Sequence, residues 1–430
     1  METRLLAGLW KVDVTPPLDR PLVGGVDDEA FAGILDNLYA NALVLDDGNK
    51  EVAIVSVDII GIPHEVMKDI VAGIEATCGI PASQVTISAT HTHKGPPLSK
   101  DQADCYTETF KKQVVTAVYM ARSKKQPVRI GVGRAENRDY VFNRRLKKPD
   151  GSIVMNWVES DFTRDCSGDG PVDPEMIVLK IEAADRQPIG FVVNYANHNN
   201  ALPGALISAD IAGYMGRMLR KLYGEDVVMV FLLGACGNVN WLDYRMEREK
   251  RRNFTYYQEI ATGLLGTVLE IIPKMEYPNI AEVESLHETI QISERPFEEY
   301  DTKEDDTYGV GKDRRPFFDR MHGQAKRESE GKPLALCDVD LHALRIGDSI
   351  ALATFPCELF VEYGLEVKAR SPFKYTLIAE LTNGEVGYVP TLKAYEEGGY
   401  EVRKPANCLE KDAGTRMTKV HLRLLEELAR

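Results

Sequence analysis

The chain has 430 residues, 44% of them hydrophobic and 27% charged, with a formal net charge of −14 at neutral pH. That length accommodates a large, well-buried core. The negative balance argues against nucleic acid and anionic membrane surfaces as partners, and no run reaches the roughly 20 apolar residues of a membrane span. Residues 1–6 are too short and polar for a secretory signal. Seven scattered cysteines without a CxxC pair suit reduced thiols better than a disulfide framework, so a cytoplasmic location is expected.

In chain order, strand-like and helix-like segments alternate. Residues 51–57 (EVAIVSV) form an apolar run that reads as a buried strand. A helix over 63–78 follows, with Val66, Ile70 and Ile74 on one face. Next come a strand over 84–89, a helix over 101–121 and strands over 128–132, 176–181 and 191–195. The last of these (FVVNY) stops at Asn197-His198-Asn199-Asn200. A helix begins near Ile211, and the buried strand 227–233 ends in Gly234-Ala235-Cys236-Gly237-Asn238. A helix over 256–272 leads to longer alternating strands near 281–292 and 335–346 and a strand over 349–354. A helix over 358–369, a strand over 375–381 and a C-terminal amphipathic helix carrying Met417, Val420, Leu424 and Leu428 complete the pass. The class is α/β, with mixed sheets layered with helices, expected as one catalytic domain over 1–430. Charged surface excursions fall near 143–173 and 294–332. The first holds two Asp-Gly turns and reads as a lid over a site.

The stretch Ser88-Ala89-Thr90-His91-Thr92-His93-Lys94-Gly95-Pro96-Pro97 places two imidazoles two residues apart where a β-branched run gives way to a Gly-Pro turn. In extended chain, i and i+2 share a face, so both rings are expected to project from one strand end toward one place. Neutral imidazole is a common zinc ligand and the usual proton carrier near neutral pH, and the pair can supply either role or one of each. Other strand ends carry polar groups of the right kind: His198 after FVVNY, Glu358 after SIALATFPC, and Tyr388 after Leu381-Thr382-Asn383-Gly384. Ligands from separate strand C-terminal ends converge on one sheet edge in open α/β proteins, and two histidines with one carboxylate are a recurring catalytic zinc set.

At this point the chain resembles the neutral/alkaline non-lysosomal ceramidase family, in its N-terminal catalytic domain. The family's Thr-His-Thr-His-Ser-Gly-Pro is similar to Thr90–Pro96, its Ser-Ala-Asp-x-x-Gly-Tyr to Ser208–Tyr214, and its Gly-Asn-Cys-Gly-Asp-Val-Ser to Gly234–Asn240. Asp13–Pro16, His198, Tyr388–Thr391 and Tyr400-Glu401 match further blocks in the same order. The resemblance implies a zinc, or another divalent ion, held by His91, His198, Glu358 and Tyr388. It implies His93 as general acid/base and Tyr400 as a holder of the scissile carbonyl oxygen. The family also uses an arginine from an Asn-Arg-Ser block, for which Arg138 is the nearest match and Arg145 the competitor. Asn240 stands where the family has a serine and is read as a substrate-binding amide.

The chemistry these residues suit is hydrolysis of an amide or ester carbonyl, of which the resemblance favours the amide. A bound divalent ion brings a water's pKa down to about 7, Tyr400 and an arginine stabilise the oxyanion, and His93 passes a proton to the leaving group. The substrate is a small-molecule or lipid-like compound, and the charged segment 143–173 tilts the reading toward a polar one. The alternatives are an esterase or hydrolase of a sugar-derived metabolite, and a non-catalytic metal- or ligand-binding relative. Each residue also has a purely structural reading. His198 would be a turn residue, Glu358 a charge at a helix N-terminus, Tyr388 and Tyr400 core aromatics, and 143–148 a solvated basic patch.

Overall fold

The structure, a computed structural model, describes residues 5–21, 31–101, 103–158, 165–168, 170–298, 328, 330–404 and 406–430. Eight strands make the larger sheet: β1 (Leu6–Asp13), β2 (Tyr39–Asp46), β3 (Glu51–Val57), β4 (Val85–Ala89), β5 (Gln126–Glu136), β6 (Glu175–Ala183), β7 (Pro188–Tyr195) and β8 (Val228–Leu233). Their order is β8-β7-β6-β5-β1-β2-β3-β4. Only the two outermost pairs, β7 with β8 and β3 with β4, run parallel. The smaller sheet has the order β9 (Val283–Ser293), β10 (Leu336–Ile346), β11 (Ile350–Thr354), β12 (Tyr375–Ala379), with β11 and β12 parallel.

The burial pattern explains the stacking. Strands β3, β4 and β8 are apolar on both faces, as layers covered on both sides require. One face of the larger sheet packs against helices α1 (His64–Cys78), α2 (Cys105–Ser123), α3 (Asp210–Tyr223) and α4 (Phe254–Ile271). Its other face, through Leu43, Ile54, Val192 and Val230, meets Leu344, Ile350, Leu352 and Leu377 of the smaller sheet. The far face of the smaller sheet is covered by α5 (Val361–Arg370) and α6 (Ala413–Leu428). The result is helices, sheet, sheet, helices: an α/β architecture with mixed sheets, as the alternation of elements implied.

Several expectations change. Strands β1 and β2 were not read from the sequence. Both carry intermediate or polar residues among the apolar ones, which obscures a continuous run. The helix expected from residue 358 begins at Val361 instead. Glu358 and Leu359 form a short parallel ladder with Tyr388 and Val389, and Phe360 is still extended. The segment 143–173 is no surface excursion over its first half. A hairpin of Arg145–Lys147 with Ile153–Met155 is mostly buried, and Asn143, Arg144 and Asn156 are buried beside it. Residues 159–164 and 169, and 299–327 and 329 of the second excursion, lie outside the described residues.

The two edges of the larger sheet meet across the end of the smaller one. Phe231 N–H of β8 donates to the Ser56 hydroxyl of β3 at 3.2 Å. The chain leaving β12 lies against both edge strands. Glu380 N–H donates to Leu233 O (2.9 Å), Ala89 N–H to Leu381 O (3.0 Å) and Asn383 N–H to Ile87 O (2.9 Å). The Asn383 carboxamide completes the join, accepting from Ile87 N–H at 2.8 Å and donating to Val85 O at 3.0 Å. The C-terminal ends of β4, β7, β8, β11 and β12 are thereby gathered into one region.

Candidate metal centre

His91 follows β4, but not in extended chain. Its φ is +60°, in the left-handed region, and the chain turns there. The two rings meet because of that turn rather than by strand alternation, stacking edge-on with centroids 4.8 Å apart. Backbone strain of this kind costs about 1–3 kcal/mol and gathers at functional sites. Here it is held by His91 N–H donating to Ile59 O at 3.0 Å and by the ring. His91 Nδ1–H donates to Ile60 O at 2.7 Å, because a carbonyl can only accept. Its Nε2 therefore carries a bare lone pair.

His198, in the loop after β7, is fixed in the same tautomer by Nδ1–H donating to Val239 O at 3.0 Å. The loop is pinned by Asp210, buried at φ +53°, whose carboxylate accepts from Ala201, Leu202 and Ile211 N–H. The Ser-Ala-Asp motif thus holds the histidine loop in place. Both fixed tautomers are the arrangement that orients histidine ligands of metals.

Glu358 Oε2 lies 3.4 Å from His91 Nε2 and 3.4 Å from His198 Nε2. That oxygen is buried and has no hydrogen bond among the described residues. The two Nε2 atoms and this oxygen face one point, and a buried carboxylate oxygen left without a hydrogen bond favours a cation there. Burial alone would push the Glu358 carboxyl up. The His91 and His198 imidazoles outweigh it and hold the carboxyl well below its ordinary value. Burial likewise opposes charge on His91, yet Glu358 raises that ring above its usual pKa. His198 is pushed down to about 4 by burial and then by the Arg144 charge. His93 Nε2 stands 3.3 Å from His91 Nε2, and the ligand atoms of His91, His93 and His198 all lie within 4.8 Å of one another. A metal ion fits this donor set.

The arginine at the centre is Arg144. Its Nη1 is 3.0 Å from His198 Nε2, its Nε donates to Glu401 Oε1 at 2.9 Å, and it is hydrogen-bonded to the Tyr388 hydroxyl. Its Nη2 is buried without a hydrogen-bond partner among the described residues. A cation drawn to the three lone pairs would take over the His198 lone pair from this guanidinium. Tyr388 is pushed well above its usual pKa by burial, against the pull of Arg144. The Tyr400 ring packs edge-on against Tyr388 (5.5 Å) and Trp157 (5.9 Å).

Three expected residues stand elsewhere or are otherwise engaged. Arg138 is 65% exposed and pairs with Glu136, so the structure does not bring it to the cluster. Arg145 is buried, but its guanidinium is committed to Glu401 Oε2 (2.7 Å) and Gly398 O (2.7 Å), where it anchors the Tyr400 loop. Asn240 forms a reciprocal amide pair with Asn156 (2.7 and 2.9 Å) and also accepts from Leu242 N–H. Arg144 had a signal that was passed over: Asn143-Arg144 is an Asn-Arg pair as good as Asn137-Arg138, and Glu401 needs a buried cation. Glu380 had none. Its fully buried carboxyl accepts from Cys236 N–H (3.0 Å), Leu359 N–H (2.8 Å) and the Cys236 thiol (3.0 Å), tying the Gly-Ala-Cys-Gly turn to the Glu358 strand.

Residues 5–231 match the family described as neutral/alkaline non-lysosomal ceramidase, N-terminal. All of the chain superposes on 75% of neutral ceramidase from Pseudomonas aeruginosa, with a TM-score of 0.76 and 19% identity. A ceramidase structure complexed with C2 gives a TM-score of 0.76 and 18% identity, covering 99% of this chain and 75% of that one. At these identities the structural likeness speaks to the fold. The family match spans more than half of the sequence and includes His91, His93 and His198, so the chain belongs to the neutral/alkaline non-lysosomal ceramidase family.

Proposed function

We propose that this protein is a metal-dependent hydrolase that cleaves an amide bond of an N-acyl compound. The observation that carries this reading is the convergence of His91 Nε2, His198 Nε2 and the orphaned Glu358 Oε2 on one point, 3.4 Å from oxygen to each nitrogen. Zinc suits a set of two imidazoles and a carboxylate, with Tyr388 as an added oxygen donor. When bound, the ion supplies a Lewis acid and an acidified water.

The chain's own groups do the rest. His93 stands beside the set, with its Nε2 3.3 Å from His91 Nε2. It is the group that carries the proton to the leaving amine. Arg144 offers a buried, unpaired Nη2 toward the developing oxyanion. Tyr400 stands across the Tyr388 ring as a second donor. Glu401, fully buried, orients Arg144 through a charge-assisted bond. Asn240 belongs to the wall of the site through its pair with Asn156.

The family points to a lipid-like N-acyl amide as substrate. Metal analysis of the purified protein, followed by a chelator titration on a panel of N-acyl amides of graded chain length and matching esters, tests the proposal. Stoichiometric zinc and chelator-sensitive release of amine are expected. Cleavage of esters alone, or activity insensitive to chelation, overturns it.

A further inference from the structure

Helix α3 and strands β2 and β8 enclose a second cavity, of about 270 Å³, lined by none of the residues of the histidine cluster. Its floor is apolar, with Met229 and Phe231 of β8 and Ala212 of α3. Three polar observations point to a ligand. The Asn41 side chain is only 8% exposed and borders the cavity. The Arg220 guanidinium rests on the Tyr39 ring at 5.4 Å but has no carboxylate or carbonyl partner among the described residues. Arg217 pairs with Asp36 at 3.2 Å, yet its buried Nη1 forms no aligned hydrogen bond.

The remaining acid in the wall is spoken for. Asp58 accepts from Tyr39 N–H at 2.8 Å and from Thr90 Oγ1 at 3.1 Å. Burial pushes its carboxyl up to about 7. Of the two guanidiniums in the wall, Arg217 is paired with Asp36, and Arg220 is the one with no carboxylate partner among the described residues. Guanidinium groups match the planar or tetrahedral oxygens of carboxylate and phosphate, and a carboxamide N–H adds to them. α3 also leaves space: a Cβ at Gly216 would meet Met229 Cε at 3.4 Å and Arg220 Nη1 at 3.7 Å, ordinary contacts that crowd nothing.

We propose that this cavity is a second binding site, for a small oxyanion, carboxylate or phosphate, gripped by Arg217 and Arg220 with Asn41 donating. The site stands apart from the hydrolase reading and does not depend on it. Calorimetric titration of the intact protein with inorganic phosphate in one arm and propionate in the other tests it. Saturable one-to-one binding of at least one anion is expected, and the stronger arm identifies the source. Arg220→Gln and Asn41→Leu should each weaken it by roughly tenfold or more. Arg220→Lys, which keeps the charge but not the fork, should give a smaller loss and so separate recognition from misfolding. The exposed control Arg370→Gln, and treatment with chelator, should change nothing. Failure of both anions to saturate overturns the proposal, as does binding that survives Arg220→Gln and Asn41→Leu together, or binding abolished by chelator alone.

Discussion

At the scale of single residues, the centre separates groups that hold from groups that act. His91 and His198 are oriented by backbone carbonyls through Nδ1, and both present Nε2 to Glu358. In the proposed reading His93, whose Nε2 stands 3.3 Å from His91 Nε2, is the proton carrier rather than a ligand. His93→Ala is therefore expected to keep stoichiometric metal while activity falls by roughly 10²–10⁴-fold. Loss of the metal in that variant would make His93 a ligand. The arginines divide in the same way. Arg144→Ala should lower kcat/KM by about 10²–10³-fold, because its buried guanidinium reaches the cluster through Nη1, 3.0 Å from His198 Nε2, whereas Arg138→Ala, removing an exposed pair with Glu136, should leave the rate unchanged. Steady-state kinetics on the same substrate decide both. The sequence made His91 and His93 legible through their spacing. It left Arg144 hidden, because one arginine in a basic run looks like another until a buried carboxylate selects it.

Elements position these residues through close backbone approach. The turn after β8 passes so near the Glu358 strand that a Cβ at Gly237 would stand 2.6 Å from Glu358 O, while Gly237 N–H donates to Leu359 O at 2.8 Å. Gly237→Ala must push that strand away. A loss of about 1–3 kcal/mol in unfolding free energy, read by denaturant titration, is expected, together with lower metal content at fixed zinc concentration. Retained metal content with lost stability would show that Glu358 does not need this contact. The expected helix start at Glu358 failed for a related reason. A carboxylate after a proline suits a helix N-terminus in sequence terms, but Glu358 is instead paired with Tyr388 in a two-residue parallel ladder. Pairing partners thirty residues away leave no local periodicity to read.

Across the whole molecule, stability carries the mark of buried histidines outside the centre. His342, on β10, is buried, and its ring lies 5.5 Å from that of His287 on β9. Burial, and then the His287 charge, holds its pKa down to about 4. The unfolded chain takes up the proton near 6.5, so the stability tied to this ring is whole above pH 6.5 and is lost as the pH falls toward 4. In His342→Gln that loss is absent. The stability advantage of the unmodified protein over the variant should shrink by up to ~1.4 kcal/mol per pH unit across that window, measured by chemical denaturation at each pH. A difference that does not vary with pH would mean the ring titrates alike in the folded and unfolded chain.

The sequence by itself determined the α/β class, most of the central strands and helices, and the identity of His91, His93, His198 and Glu358 as residues worth bringing together. Apolar runs, helical periodicity and residue chemistry are local properties, and they survive without knowledge of the fold. Only the tertiary structure decided that the two edge strands of the larger sheet are joined by the Glu380–Asn383 segment, which carries five strand ends to one place. It also decided which arginine faces the cluster, that Asn240 pairs with Asn156, and that residues 143–146 and 153–156 are buried. The physical reason is range. Hydrogen bonds between residues nearly three hundred positions apart, such as Asn383 with Val85 and Ile87, have no counterpart in the composition or spacing of either segment.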